Sequence, residues 1–271
     1  MEIRGEGSMN DLTERMERTR QAAEQLAREQ DITLSLIIED LSNGHSVQFN
    51  EAHTHSSAST IKTILLMAAL EDEGVDFSLS DMIELSDENS VDFSVVTQMN
   101  EKIYSIHEYL QWMILESCNA STNVIIDLLG YDRINQVCRD LGMKETVVHR
   151  KMMDTEARAR GQDNLTSARD MAILYKTIYH KQYFSPKACD KGIAILSRCR
   201  DRKLLRRFLP QELTFAHKSG GLDEVSHDVG IFFDPDVLVS AFTTSLAGEE
   251  MQIKREQTIG HIGRWLLKEE I

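Results

Sequence analysis

The chain has 271 residues, a formal net charge of −14 and 41% apolar residues. That length and composition suit one large domain or two small ones with a core of useful size. The acidity argues against a general binder of nucleic acid or anionic membrane, which needs clustered Lys and Arg, and no run of 18 apolar residues reads as a membrane span.

Residues 1–9 read as a leader or a vector-derived tail. They lack the apolar core of a secretory signal, so the expected location is cytoplasmic as the chain stands, or exported if a signal has been removed. From Asn10 the apolar spacing of Leu12, Met16, Ala22 and Leu26 predicts a helix to residue 29. "ITLSLIIED" (32–40), the Asn43-Gly44 turn signal and "SVQFN" predict a hairpin. From about 59 to 209 one helical pattern follows another, with Gly130 and Gly142 as C-caps. "RKLLRRFLP" (202–210) reads as a solvated basic helix face rather than a nucleic-acid patch. Three strands then follow, at about 212–220, 225–234 and 237–246, with an Asp-Pro-Asp turn joining the last two. A closing helix ends the chain.

Two N-terminal and three C-terminal strands bracket a helical block. The economical packing is an α+β, two-lobed domain over residues 10–271. An α/β lobe (about 10–58 and 211–271) would hold one five-stranded antiparallel sheet from both chain ends. The terminal helices would cover one face and an all-helical lobe (about 59–210) the other, with a site between the lobes.

The four cysteines, Cys118, Cys138, Cys189 and Cys199, show no metal-site spacing and read as small buried hydrophobes, with a Cys189–Cys199 disulfide left open. His53 and His55 lack the further ligands that a metal site needs. No nucleotide-binding glycine run and no Gly-x-Ser-x-Gly elbow occurs, so no cofactor is expected. Trp112 and Trp265 read as packing residues.

"SASTIKTILL" (57–66) puts Ser59 and Lys62 one turn apart at the head of an apolar run. At i and i+3 they share a face, and a lysine made neutral by desolvation or a nearby cation can activate a serine hydroxyl. An N-cap serine with a solvated lysine is the plain alternative. Two further constellations oppose it: "ESCNAST", with Ser117 and Asn119 before a helix, and "AHKSGG", with Lys218, Ser219, Gly220 and Gly221 at a strand end. The order Ser-x-x-Lys, Ser-x-Asn, Lys-Ser-Gly resembles the penicillin-recognising serine enzymes: class A β-lactamases and penicillin-binding proteins. The likeness runs from about residue 10 to 270 and includes "LTSARDMAILYKTI" and "HKSGGLDEVSHDVGI".

The resemblance implies roles. Ser59 is the acylated nucleophile, Lys62 its base, and Ser117 the proton relay. Asn119 bonds a substrate amide and the lysine network. Lys218 supplies positive charge, and Ser219 bonds a substrate carboxylate. The N–H groups of Ser59 and Gly221 form an oxyanion hole, which Gly220 lets the strand approach closely. Class A enzymes also carry a loop glutamate two residues after an arginine, which activates the deacylating water. Aligned on Arg150, that place holds Met152, a thioether that cannot take a proton. Asp154 and Glu156 lie two and four residues on, and a shifted register with Glu156 at work stays open. An Arg150–Asp163 pair, or Asn164, would anchor the loop. Cys118 departs from the usual aspartate and reads as packing. His227 stands about where class A enzymes keep a carboxylate-binding arginine. It would serve when protonated, or else bond Asp228 or a backbone group.

The expected activity is that of a serine acyl-enzyme hydrolase acting on β-lactam or related amide or ester bonds in a small-molecule or peptide-like substrate, with deacylation impaired. The alternatives are a DD-peptidase-like or esterase enzyme, and a non-hydrolytic penicillin-binding or sensor protein. No nucleic-acid or membrane partner is expected.

Overall fold

The computed structural model describes residues 6–268, with side chains from Asp11 onward. Of the tail expected over 1–9, residues 1–5 lie outside the described residues and 6–9 already belong to the first helix.

In chain order, α1 (Glu6–Glu29) leads into β1 (Thr33–Asp40), β2 (Ser46–Phe49) and the short β3 (His55–Ser56). A 3-10 turn, Ala58–Ile61, opens α2 (Lys62–Asp72). Next come β4 (Met82–Glu84), β5 (Ile103–Ser105), α3 (Ile106–Leu115), α4 (Asn119–Asp140), α5 (Thr155–Ala159), β6 (Leu165–Thr166), α6 (Ala168–Tyr179) and α7 (Pro186–Leu196). β7 (Phe215–Leu222), β8 (Val225–Phe232), β9 (Val237–Thr244) and α8 (Gln252–Leu267) complete the chain.

Five strands form one antiparallel sheet in the order β2-β1-β9-β8-β7, so β1 and β9, from opposite ends of the chain, are neighbours in the middle. That position explains the nearly continuous burial of β1, which is covered on both faces. Its side chains alternate between two cores. Leu34, Leu36 and Ile38 join Met16 of α1 and Ile259 and Ile262 of α8, whereas Ile37 joins the core of the helical block. The hairpin turn expected at Asn43-Gly44 is present, with Gly44 at φ +77°.

The helical block centres on α2, where every residue from Lys62 to Leu70 is buried. Its neighbours start at clear caps. Ser105 and Glu108 form a capping box, and Ser167 and Ser185 each accept a backbone N–H. The block departs from the sequence reading in three places. Short ribbons, β3 with β6 and β4 with β5, interrupt it. The two helices expected either side of Gly130 run on as α4, with a kink at that glycine (φ 73°). Residues 202–210 form turns, not a helix. Their backbone bonds skip to i−3, from Arg207 to Leu204 and from Leu209 to Arg206, and the Leu205 N–H is taken by Asp228 Oδ2 at 3.1 Å. Leu204, Leu205 and Leu209 are buried in the sheet–α8 core, so the segment is an inner strap rather than a solvated face.

All four cysteines are free and buried; no Cys189–Cys199 disulfide forms. Among the described residues no helix is long and apolar enough to cross a membrane.

The strap and α8 meet without spare room. A Cβ on Gly263 would lie 2.1 Å from the Leu205 carbonyl oxygen, a backbone atom that cannot swing aside. Gly263→Ala should therefore destabilise the fold by about 1–3 kcal/mol, the usual cost of overpacking. A lower midpoint in urea unfolding, at unchanged slope, checks this.

Candidate active site

Ser59 lies in the 3-10 turn and Lys62 is the first residue of α2, so the chain itself sets them one turn apart. α2 is enclosed on all sides, and its first side chain enters the core with it: Lys62 is 0% exposed. Its Nζ donates to Ser117 O at 2.6 Å, Ser117 Oγ at 3.1 Å and Asn119 Oδ1 at 2.9 Å. Those bonds account for the three protons of an ammonium. In the neutral amine two N–H bonds remain and the lone pair becomes an acceptor, so the Ser117 hydroxyl can turn and donate to it. Burial, then the charge of Lys218, pulls the Lys62 pKa well below its ordinary value of 10.5. The site thus favours a base over a cation.

Ser117 and Asn119 reach this amine from the head of α4. Ser117 holds φ at 55°, and Ala58, beside Ser59, holds φ at 45°. Left-handed backbone in non-glycine residues costs of order 1–3 kcal/mol each and persists only where packing enforces it. Cys118, between Ser117 and Asn119, is 0% exposed and caps α4 through its sulfur, so its side chain is packing. Asn119 bridges outward as well, donating through Nδ2 to Asp92 O at 3.3 Å.

β7 supplies the third side and is the edge of the sheet. Phe233 N–H bonds Thr214 O at 3.1 Å. Antiparallel bonding alternates, so the even-numbered residues of β7 bond β8, while Ser219 and Gly221 direct their N–H and C=O off the free edge. The Ser219 carbonyl is there to accept from Lys218 Nζ at 2.7 Å. The Gly221 N–H points off the same edge. Gly220 lies against the serine turn, and a Cβ there would sit 2.8 Å from Ser59 N and 3.0 Å from Thr60 N. Only glycine allows that approach. The Ser219 hydroxyl does not stand open: it donates to Asp201 Oδ2 at 2.7 Å.

The fourth wall is the loop from 149 to 164. Arg150 is ion-paired with Asp163 at 2.7 Å. Asn164 Oδ1 accepts the N–H groups of His149 and Arg150, and Ser56 Oγ donates to Asp163. Within this neck, Asn123 of α4 holds the backbone of Met152 from both sides. Its Oδ1 accepts Met152 N–H at 2.7 Å and its Nδ2 donates to Met152 O at 3.2 Å. Met152 lines the cleft. Asp154 is exposed and caps α5 by accepting Ala157 N–H, and Glu156 is exposed and paired with Arg160. Neither carboxylate is part of the cleft lining. Ser59, Ser117, Asn119, Ser219, Gly220 and Gly221 do border that cleft, which has a volume of about 620 Å³.

His227 is a further expected site residue that the structure places elsewhere. It is 0% exposed, its Nε2 donates to Ser56 O at 2.9 Å and its Nδ1 accepts Thr243 N–H. Burial pushes its pKa down to about 4, so it is a neutral strand histidine bonded to backbone, not a carboxylate ligand. The sequence reading missed Asn123 and Asp201. Asn123 lies four residues after Asn119 on one helix face, a spacing that could have found it. Nothing in "CRDRK" marks Asp201, whose place depends on the strap.

The family model described as "Beta-lactamase enzyme family" matches residues 17–269. No curated protein sequence matches the chain. Among solved structures, the β-lactamase from Sphaerobacter thermophilus DSM 20745 is 25% identical and covers 92% of this chain and 95% of its own, with TM-score 0.82. A PBP-A variant with one leucine-to-glutamate change, seen as an acyl-enzyme complex with penicillin G, is 26% identical over 91% of this chain and 94% of its own, with TM-score 0.77. An ancestral class A β-lactamase, at 22% identity, 93% and 99% coverage and TM-score 0.82, shares the fold.

Because Asn123 fastens the Met152 backbone to α4, next to the exposed Lys151–Asp127 ion pair, Asn123→Ala should loosen residues 150–156 while leaving the sheet intact. Limited proteolysis should then cut the loop at least several-fold faster than in the wild type, with an unfolding midpoint lowered by about 1–3 kcal/mol for the unsatisfied backbone groups.

Proposed function

Since this chain belongs to the β-lactamase enzyme family, a family of serine hydrolases, we propose that Ser59 is its acylated nucleophile, acting on β-lactam or related amide and ester bonds. The observation that carries the reading is the buried Lys62 amine, held by Ser117 and Asn119 one turn from Ser59.

The buried amine supports the following steps. Neutral Lys62 removes the Ser59 proton as Oγ attacks the carbonyl carbon. The carbonyl oxygen becomes an oxyanion between the N–H groups of Ser59 and Gly221, a kind of contact worth about 3 kcal/mol per donor. The tetrahedral species collapses, the carbon–nitrogen or carbon–oxygen bond breaks, and Ser117 passes a proton from the Lys62 ammonium to the leaving atom. An ester on Ser59 remains. Burial, and then the charge of Lys218, keeps the Lys62 pKa low.

Hydrolysis of that ester needs a water that has lost a proton. Met152 stands where the loop faces the cleft, and Asp154 and Glu156 face away, so the loop offers the water no base. A β-lactam acyl group, once on Ser59, therefore leaves slowly. Less hindered esters and peptide-like acyl groups turn over with Lys62 as the only base. The same absence supports the second reading, a penicillin-binding or sensor-type protein whose acylated state is its working state.

Intact-mass measurements with a penicillin and with an activated ester test this. A lasting adduct from the penicillin and a transient one from the ester are expected, and both should vanish in Ser59→Ala. Met152→Glu should speed release of the penicillin adduct by about 10²-fold or more, in the range of general-base effects. An unchanged adduct lifetime would count against the loop assignment.

The acylation rate should rise with pH as Lys62 loses its proton and level off well below pH 10.5, because only the neutral amine is a base. Lys218→Met removes the second cause of the depressed pKa and should move that rise to higher pH. Stopped-flow acylation across pH reads the shift.

A further inference from the structure

We infer that Asp201 makes this cleft select acyl donors that carry no carboxylate beside the scissile bond, favouring a neutral or cationic group there. The inference rests on the acyl-enzyme reading above and adds the substrate class.

Asp201 lines the cleft at the Ser219 end, brought there by the strap that follows α7. The Ser219 hydroxyl has a single proton, and it is given to Asp201 Oδ2 at 2.7 Å. The other carboxylate oxygen accepts Lys203 N–H at 2.8 Å. Burial works to raise the Asp201 pKa, but the Ser219 bond, the Lys203 N–H and the charges of Lys218 and His217 outweigh it and hold it below its ordinary 3.8. Asp201 is therefore a carboxylate at any working pH.

An incoming carboxylate finds the anion place already taken. It must draw the Ser219 proton away from Asp201 and then lie beside a second negative charge. Lys218, 1% exposed and bonded to Ser219 O, lies near Asp201, which offsets its charge, and the charge of His217 is taken up by Asp228. His227 supplies none, being neutral and bonded to backbone. Asp223 adds a further acid to the lining and Glu116 is paired with Arg200, while of the lining cations Arg150 is paired with Asp163, Arg158 with Glu224, and Lys203 is exposed to solvent. A neutral ester or an amine meets no such penalty, and an ammonium can use the lone pairs that Asp201 has left.

Benzylpenicillin and its methyl ester differ only in the carboxylate, and they make the test. Ser59 acylation of the full chain is followed by intact mass with each. The ester should label the wild type about tenfold faster than the free acid or more, and Asp201→Asn should cut that ester-to-acid ratio about tenfold by relieving charge repulsion. Asp201→Ser is the second variant should the asparagine fail to fold, and the wild-type ratio needs no variant. A free acid that labels the wild type as fast as the ester, or a ratio unchanged by substitution, overturns the inference. So does labelling by an activated phenyl ester but by neither penicillin form, which leaves the acyl-enzyme reading standing. No label at Ser59 from any of the three overturns that reading and the inference with it.

Discussion

The site is organised around one buried amine. Lys62 opens a helix whose other buried residues, Thr63 apart, are apolar, and it is accommodated there because Ser117 O, Ser117 Oγ and Asn119 Oδ1 converge on it. A lone ammonium in that place would be far too costly, and a pKa pulled down by burial and by Lys218 is the relief the fold offers. Position and lowered pKa therefore have one cause. The contacts that make the lysine tolerable also tie the head of α4 to the head of α2, next to Ser59.

Much of the remaining architecture keeps those two helix heads against the edge of a sheet. β7 ends the sheet, so alternate N–H groups face the serine turn instead of another strand. Gly220 lets the two backbones come within reach, and Ala58 and Ser117 hold left-handed φ values on either side. An edge strand is ordinarily a liability for unwanted pairing. Here the helical block and the strap cover part of it, and the uncovered part is the cleft.

The loop and the strap give the cleft its individual character. The loop keeps a well-anchored neck, with Arg150 on Asp163 and Asn164 bonding back, yet it presents a thioether to the cleft. The strap brings a carboxylate to the place where the family likeness suggested an empty hydroxyl. In the proposed chemistry one change bears on the fate of the acyl group and the other on which acyl donors enter. Both leave the Ser59–Lys62 region untouched, because they reside on segments that pack against it without building it.

The sequence by itself determined whatever depends on near neighbours. The apolar periods of α1, α3 and α6, the Asn43-Gly44 hairpin, and the serine and lysine one turn apart are consequences of local spacing. The two-ended sheet was legible too, since strands at both ends of the chain around a helical block have few ways to bury their faces. Tertiary structure alone decided three other matters. Residues 202–210 carry a helical pattern, but Asp228 and the sheet core compete for their backbone and leucines, and they become an inner strap. His227 sits in an alternating strand like its neighbours, yet Ser56 and Thr243, distant in sequence, take both its nitrogens. The environment of Ser219 was set by Asp201, 18 residues away along an irregular segment. In each case the deciding partner comes from a segment whose path no periodicity encodes, so the outcome appears only once the chain has folded.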